Sequence, residues 1–236
     1  MADSTMETRL NSLEKEVRSL KRRAQIRDKK LQTLQDIEDI KRLQCAYGYY
    51  LEHWMGPEII DCFADHPEVC GTFVEGTYKG LEGIRRYFSR TKEISPELHH
   101  MVMQVSPVIT VSPEGKRAKG RWYGYGTVMM RASKPLNPMY MHVIYEMEYI
   151  KENSGWKILK LQLCLNYAYP QREISGPAPG TENMKLDPDV FAEFETGYPS
   201  GYIYPIHFKH PVTRKETSEA KRNATLKLTP SRYKSA

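Results

Sequence analysis

Tyr47, Tyr49, Tyr50, Glu52, His53 and Trp54 gather a carboxylate, an imidazole and three phenols at the end of one apolar-periodic stretch. Such groups trade protons near neutral pH when burial raises the pKa of the acid and lowers that of the imidazole. Further along, His100 stands among Met101, Val102 and Met103, and Tyr145 lies in the β-forming run Met141–Tyr149. Each also has a plain structural reading. Glu52 and His53 can face water at a helix terminus, His100 can be a half-buried, satisfied histidine, and Tyr145 can simply pack. The adjacent pair His99-His100 points to opposite faces of a strand and cannot hold one metal ion between them. No H-E-x-x-H, G-x-S-x-G or G-x-x-x-x-G-K-[ST] occurs, and Gly120–Gly126 reads as a strand without G-x-G-x-x-G. The sequence therefore predicts neither a metal nor a phosphate-loop cofactor.

The elements that must position these residues are legible in the hydrophobic pattern. Leu10, Leu13, Val17, Leu20, Ala24, Leu31 and Leu34 follow alternating steps of three and four, interrupted by Arg27, with charged residues between. No Pro or Gly precedes Gly48, so one helix is expected from about residue 8 to about 54. A stripe that narrow is best buried by a partner helix, which makes residues 1–35 a candidate coiled coil. From Asp36 the pattern broadens (Ile37, Ile40, Leu43, Tyr47, Leu51) into the amphipathic helix of a globular domain. Gly56-Pro57 is expected to end it, followed by a short helix over Glu58–Phe63, β-forming residues Val69–Val74, a turn at Gly76 and Gly80, and a helix over Leu81–Ser89. Four strands are then expected over Leu98–Val111, Lys116–Met130, Tyr140–Lys151 and Trp156–Tyr167, antiparallel because the first and third connections are short. Pro107 demands an edge, a bulge or a bend. Helices first and a curved antiparallel sheet afterwards is an α+β order. Residues 171–212 form a Pro-rich arm carrying Phe191, Phe194, Tyr198, Tyr202, Tyr204 and Phe208, expected to lie over the domain or a neighbouring subunit and to cap the pocket. Residues 213–236 are basic and expected to be disordered.

The chain has 236 residues and a net charge of +6. Residues 1–35 carry 9 − 5 = +4 and residues 209–236 carry 8 − 2 = +6, leaving 18 − 22 = −4 for the middle. A nucleic-acid-binding domain keeps its positive charge on the folded recognition surface, so no nucleic-acid partner is expected. No apolar window reaches the ~20 residues of a membrane span. Four cysteines without a C-x-x-C pair suggest a reducing compartment. A cytoplasmic protein with no membrane partner is the expectation.

The blocks DIEDIKRLQCAYGYYLEHWMGPEIIDCFAD (Asp36–Asp65), GTYKGLEGIRRYF (Gly76–Phe88), LHHMVMQ (Leu98–Gln104) and YEMEYIKENSGWKI (Tyr145–Ile158), in that order and spacing, resemble the SnoaL-like branch of the nuclear transport factor-like superfamily over residues 36–170. The resemblance implies a cone, in which a curved antiparallel sheet wraps the N-terminal helices and leaves a deep pocket at its open end. It is shared by scytalone dehydratase, polyketide cyclases, ketosteroid isomerase and cofactor-free lyases of aromatic compounds. It also implies catalytic roles for Tyr47, for Glu52 where the family has Asp, for His100 four residues before Gln104, and for Tyr145. Met141, Val143 and Met147 share the face of Tyr145 by strand parity.

The expected site thus has catalytic Glu52, His100, Tyr145 and Tyr47, with Tyr49, Trp54, Val102, Tyr125, Val143 and Met147 lining a pocket for a small hydrophobic, aromatic molecule. The expected activity is a cofactor-independent lyase, dehydratase or isomerase acting on a phenolic or polycyclic substrate, with lignin-derived diaryl compounds as a subcase. A non-catalytic ligand carrier and a coiled-coil adaptor with a filled pocket are the rival readings. A homo-oligomer is expected, a trimer by resemblance, with a dimer as the other form.

Overall fold

The structure is a computed structural model that describes residues 2–90, 94, 98–130, 138–169, 187–193, 205, 207, 216 and 219–226. A single helix, α1, runs from Ala2 to Glu52, and α2 (Gly56–Asp61) follows at once. Gly56-Pro57 opens α2 and does not close α1, because proline fits the first helical turn, whose N–H groups have no intrahelical acceptor. What stops α1 is a Schellman turn. Trp54 N donates to Leu51 O at 3.2 Å and Met55 N to Tyr50 O at 2.9 Å, with Trp54 at φ 52° where glycine is usual.

Strand β1 (Cys70–Thr72), strand β2 (Gly76–Lys79) and helix α3 (Gly80–Ser89) come next. The turn expected at Gly76 and Gly80 is therefore corrected to a short strand; its pairing with β1 satisfies the backbone there. Four long strands complete the domain: β3 (Leu98–Val111), β4 (Arg117–Met130), β5 (Met139–Glu152) and β6 (Gly155–Tyr169). With β7 (Val190–Phe191) the sheet order is β3-β4-β5-β6-β1-β2-β7. The long strands are antiparallel neighbours, while β1 joins β6 in parallel. β3 is an edge strand, and its register shifts between Val105 and Val108. Pro107 sits within that bulge, and Ser106 takes φ 53°.

The sheet curls around the second half of α1. Ile40, Tyr47 and Leu51 on the helix pack with Trp122, Val143, Tyr145, Met147, Tyr149, Ile158 and Leu161. Glycines permit the curl. A Cβ on Gly124 would overlap Val143 and come within 2.7 Å of Tyr145, and one on Gly126 would strike the backbone of Met101. Before Asp36 the helix leaves the domain, with Met6, Leu10, Leu13, Val17, Leu20, Leu31 and Leu34 46–71% exposed. Asp36 marks the entry point. Its buried carboxylate accepts from Lys151 Nζ (2.6 Å), Trp156 Nε1 (3.0 Å) and Gln32 Nε2 (3.1 Å). Burial alone would raise its pKa; those donors outweigh burial and hold it below the usual carboxylate value.

In the arm, Asp189 accepts from Lys79 N at 2.6 Å and pairs with Arg86 at 2.9 Å, seating β7 on β2. Pro205 O accepts from Arg121, and His207 Nδ1 lies 3.1 Å from Glu146, which itself pairs with Arg121 on the outer face of the sheet. Residues 194–204 and 208, with Phe194, Tyr198, Tyr202, Tyr204 and Phe208, lie outside the described residues, and so does the expected capping of the pocket. The expected disorder of the tail is corrected at Glu219–Asn223, which form a short helix, α4. Among the described residues no helix is long and apolar enough to cross a membrane.

Candidate active site

Two stripes of α1 divide the work. Ile40, Gln44, Tyr47 and Leu51 enter the core, while Cys45, Gly48, Tyr49 and Glu52 repeat at three, four and seven and form one wall of a cleft. The opposite wall is the edge strand β3 at Met101, Val102, Met103 and Gln104. The cleft holds about 140 Å³ and is half open to solvent. Tyr47, Phe63, Phe88, Trp122, Tyr145 and Met147 pack together within the curl of the sheet, and this cleft lies between the helix end and the sheet edge.

Gly48 sets how close the walls come. Its missing Cβ would lie 3.2 Å from Gln104 Nε2. The Gln104 amide is held from behind by a buried relay: Trp122 Nε1 donates to Tyr149 OH (3.0 Å), Tyr149 OH donates to Gln44 Oε1 (2.7 Å), and Gln44 Nε2 donates to Gln104 Oε1. With its oxygen so engaged, Gln104 Nε2 is buried and has no partner among the described residues. It is a donor held ready at the cleft. Gln104 carried no site role in the sequence beyond its place after His100; the signal available was the contiguity of Met101–Gln104 beside the helix.

The expected site residues fall into three groups. Glu52, Tyr49 and Val102 line the cleft, Glu52 half-buried and Tyr49 67% exposed. His100 and Trp54 form a second group. Their rings lie 4.8 Å apart, and His100 Nδ1 and Trp54 Nε1 are both buried without partners among the described residues. Burial, assisted by the neighbouring His99, lowers the pKa of His100 to about 4. Its imidazole is therefore neutral at physiological pH, and in that form it accepts a proton. Trp54 follows the cleft residue Glu52 by two positions and His100 precedes the cleft residue Met101 along the chain, but neither lines the cleft. The third group is fully buried. Tyr47 meets Phe63 and Phe88 edge-on, and Tyr145 packs with Val143 and Met147. Burial raises both phenols above the ordinary value, and for Tyr47 the nearby Tyr145 adds to the shift. Both remain protonated donors.

Tyr125 belongs to none of these groups. Trp122, Gly124, Gly126 and Val128 point inward along β4, so alternation sends Tyr125 to the outer face, 46% exposed. Tyr50 packs on the core, and His53 is exposed. Among the described residues no cluster of three His, Cys, Asp or Glu could hold a metal ion.

Residues 32–162 match the family described as the SnoaL-like domain. No curated protein matches the sequence. Two solved structures are similar in fold. A candidate scytalone dehydratase from Novosphingobium aromaticivorans is 13% identical, covering 63% of this chain and 96% of its own, with a TM-score of 0.51. A hexachlorocyclohexane dehydrochlorinase, LinA type 2, is 19% identical, covering 64% and 99%, with a TM-score of 0.51.

Proposed function

This chain belongs to the SnoaL-like domain family, and from that premise we propose that it is a cofactor-independent lyase that eliminates a leaving group from a small hydrophobic, phenolic substrate. The observation that carries the reading is that one apolar-walled cleft is lined by a carboxylate, Glu52, and by the amide of Gln104, whose Nε2 has no hydrogen-bond partner among the described residues. Glu52 and His100 are the proton-transfer groups. One takes the proton from the carbon beside the leaving group, the C–H electrons become the new double bond, and the other protonates the departing oxygen as water. Gln104 Nε2 stabilises charge that develops on a substrate oxygen, while Tyr47 and Tyr145, buried in the core behind the cleft, support the helix and sheet that carry the site. The two similar structures bear names of elimination enzymes, a dehydratase and a dehydrochlorinase, which supports the reaction class.

Cleft size narrows the guest. An apolar cavity of about 150 Å³ accepts benzene, so about 140 Å³ here takes a single ring. A diaryl or polycyclic substrate would extend through the open side past Tyr49.

Glu52→Gln and His100→Ala are expected to keep the native circular dichroism spectrum while lowering turnover of a phenolic β-hydroxy substrate at least about tenfold, since a positioned proton transfer contributes ~10²–10⁴-fold. Full activity in both variants would remove the assignment. The position of the cleft at the sheet edge, open to solvent, favours a second reading, a ligand carrier with a surface groove. Mass spectrometry after incubation separates the two: loss of water from the substrate marks the lyase, and a retained, unaltered guest marks the carrier.

A further inference from the structure

Residues 6–34 of α1 present an apolar stripe that nothing among the described residues covers. Taking Leu10, Val17, Ala24 and Leu31 as heptad positions a places Leu13, Leu20, Arg27 and Leu34 at d. The flanking positions then separate cleanly. Position g holds Arg9, Glu16, Arg23 and Lys30, and position e holds Glu14, Lys21, Asp28 and Gln35. In a parallel coiled coil each g residue meets the e residue five places on in its partner. The meetings are Arg9 with Glu14, Glu16 with Lys21, Arg23 with Asp28, and Lys30 with the neutral Gln35.

We infer that residues 6–35 bind a second copy of this chain as a parallel, in-register coiled coil. The charges specify both direction and register. Slipping by one heptad sets Arg9 against Lys21 and Glu16 against Asp28, both like pairs. Centred antiparallel packing sets g against g and e against e, which keeps Glu16 with Arg23 and Lys21 with Asp28 but sets Arg9 against Lys30, so it has fewer opposite pairs and a repulsion that the parallel arrangement lacks. Within one chain, among the described residues, Glu14 pairs with Arg18 at 3.1 Å and Asp28 with Arg27 at 4.0 Å. Both pairs are exposed and exchange readily for partners across a seam. Arg27 at d weakens the seam and interrupts an otherwise apolar run, a device that fixes register at a cost in stability.

The test uses the full chain in sedimentation equilibrium. The wild type is expected to be a dimer or trimer, either of which supports the inference. Leu13→Glu combined with Leu20→Glu is expected to give monomer with an unchanged circular dichroism signal from the sheet domain. Glu16→Lys alone and Lys21→Glu alone are each expected to weaken association about tenfold, the scale of reversing symmetry-related pairs. Mixing these two variants restores Glu–Lys pairing on both flanks and is expected to recover the wild-type mass. A monomeric wild type, an oligomer that survives Leu13→Glu/Leu20→Glu, or a mixture no tighter than its components would each overturn the proposal.

Discussion

His100 illustrates how one side chain can be tuned without a charged partner. Its pKa is lowered to about 4 by burial, and the indole of Trp54 covers it. Trp54 holds a left-handed φ of 52°, a conformation costing a non-glycine residue roughly 1–2 kcal/mol. Trp54→Gly should relax that backbone yet expose the imidazole, so NMR titration should find His100 shifted up toward 6.5. A His100 pKa unchanged in Trp54→Gly would show that other groups bury it. The same depression makes stability depend on pH. The unfolded chain binds a proton at His100 below about 6.5 and the folded chain only near 4, so stability should fall as pH drops between those values. Denaturant midpoints should show this slope in the wild type and a flatter one in His100→Gln. Behind the cleft, Gln44→Ala would leave Tyr149 OH and Gln104 Oε1 without their partner. The expected cost is about 2–3 kcal/mol in urea unfolding.

At the level of elements, α1 changes its job at Asp36. N-terminal to it the helix is bare, and C-terminal to it the helix is the axis of the cone. Asp36→Asn keeps an acceptor but loses the charge that Lys151 answers, and should cost about 1–2 kcal/mol. Because the native pKa of Asp36 is lowered, its contribution is fully present above the ordinary carboxylate value. It is lost as pH falls through the lowered one, so the variant should show a shallower acid limb in thermal melts. In the sequence a two-in-seven stripe gives way to a broader one at residue 36, and in the structure exposed apolar residues give way to buried ones along the same helix. The sequence also carried the four long strands, whose ends differ from expectation by one or two residues at most turns. Strand β2 was hidden because its glycine-flanked residues have turn composition and become a strand only through pairing with β1 and β7. The cleft was only half legible. The wall of Tyr49 and Glu52 follows from helical spacing, but whether β3 meets that face or the next depends on a glycine contact at Gly48 that no periodicity encodes. Tyr125 was misplaced because Gly124 and Gly126 leave no side chains to reveal which face of β4 turns inward.

Across the whole molecule the arm acts as a clasp. Asp189 ties it to the edge at Lys79 and Arg86, Asp187 pairs with Arg90, and Pro205 and His207 meet Arg121 and Glu146 on the outer face. Asp189→Ala removes two of these ties and should speed limited proteolysis of the arm while leaving the thermal midpoint of the sheet domain within a few degrees. Uniform cleavage rates would mean that the outer-face contacts alone hold it. The unbroken span of α1, about 77 Å at ~1.5 Å per residue, also fixes a direction. At ~100° per residue, the cleft wall of Cys45, Gly48, Tyr49 and Glu52 turns only roughly 20° from the stripe ending at Leu31 and Leu34. Strand β3 occupies on that azimuth the place a neighbouring helix would take nearer the N-terminus. Joined stalks would therefore aim their reaction grooves toward a shared central axis, and traffic of small molecules would have to pass sideways beneath the junction.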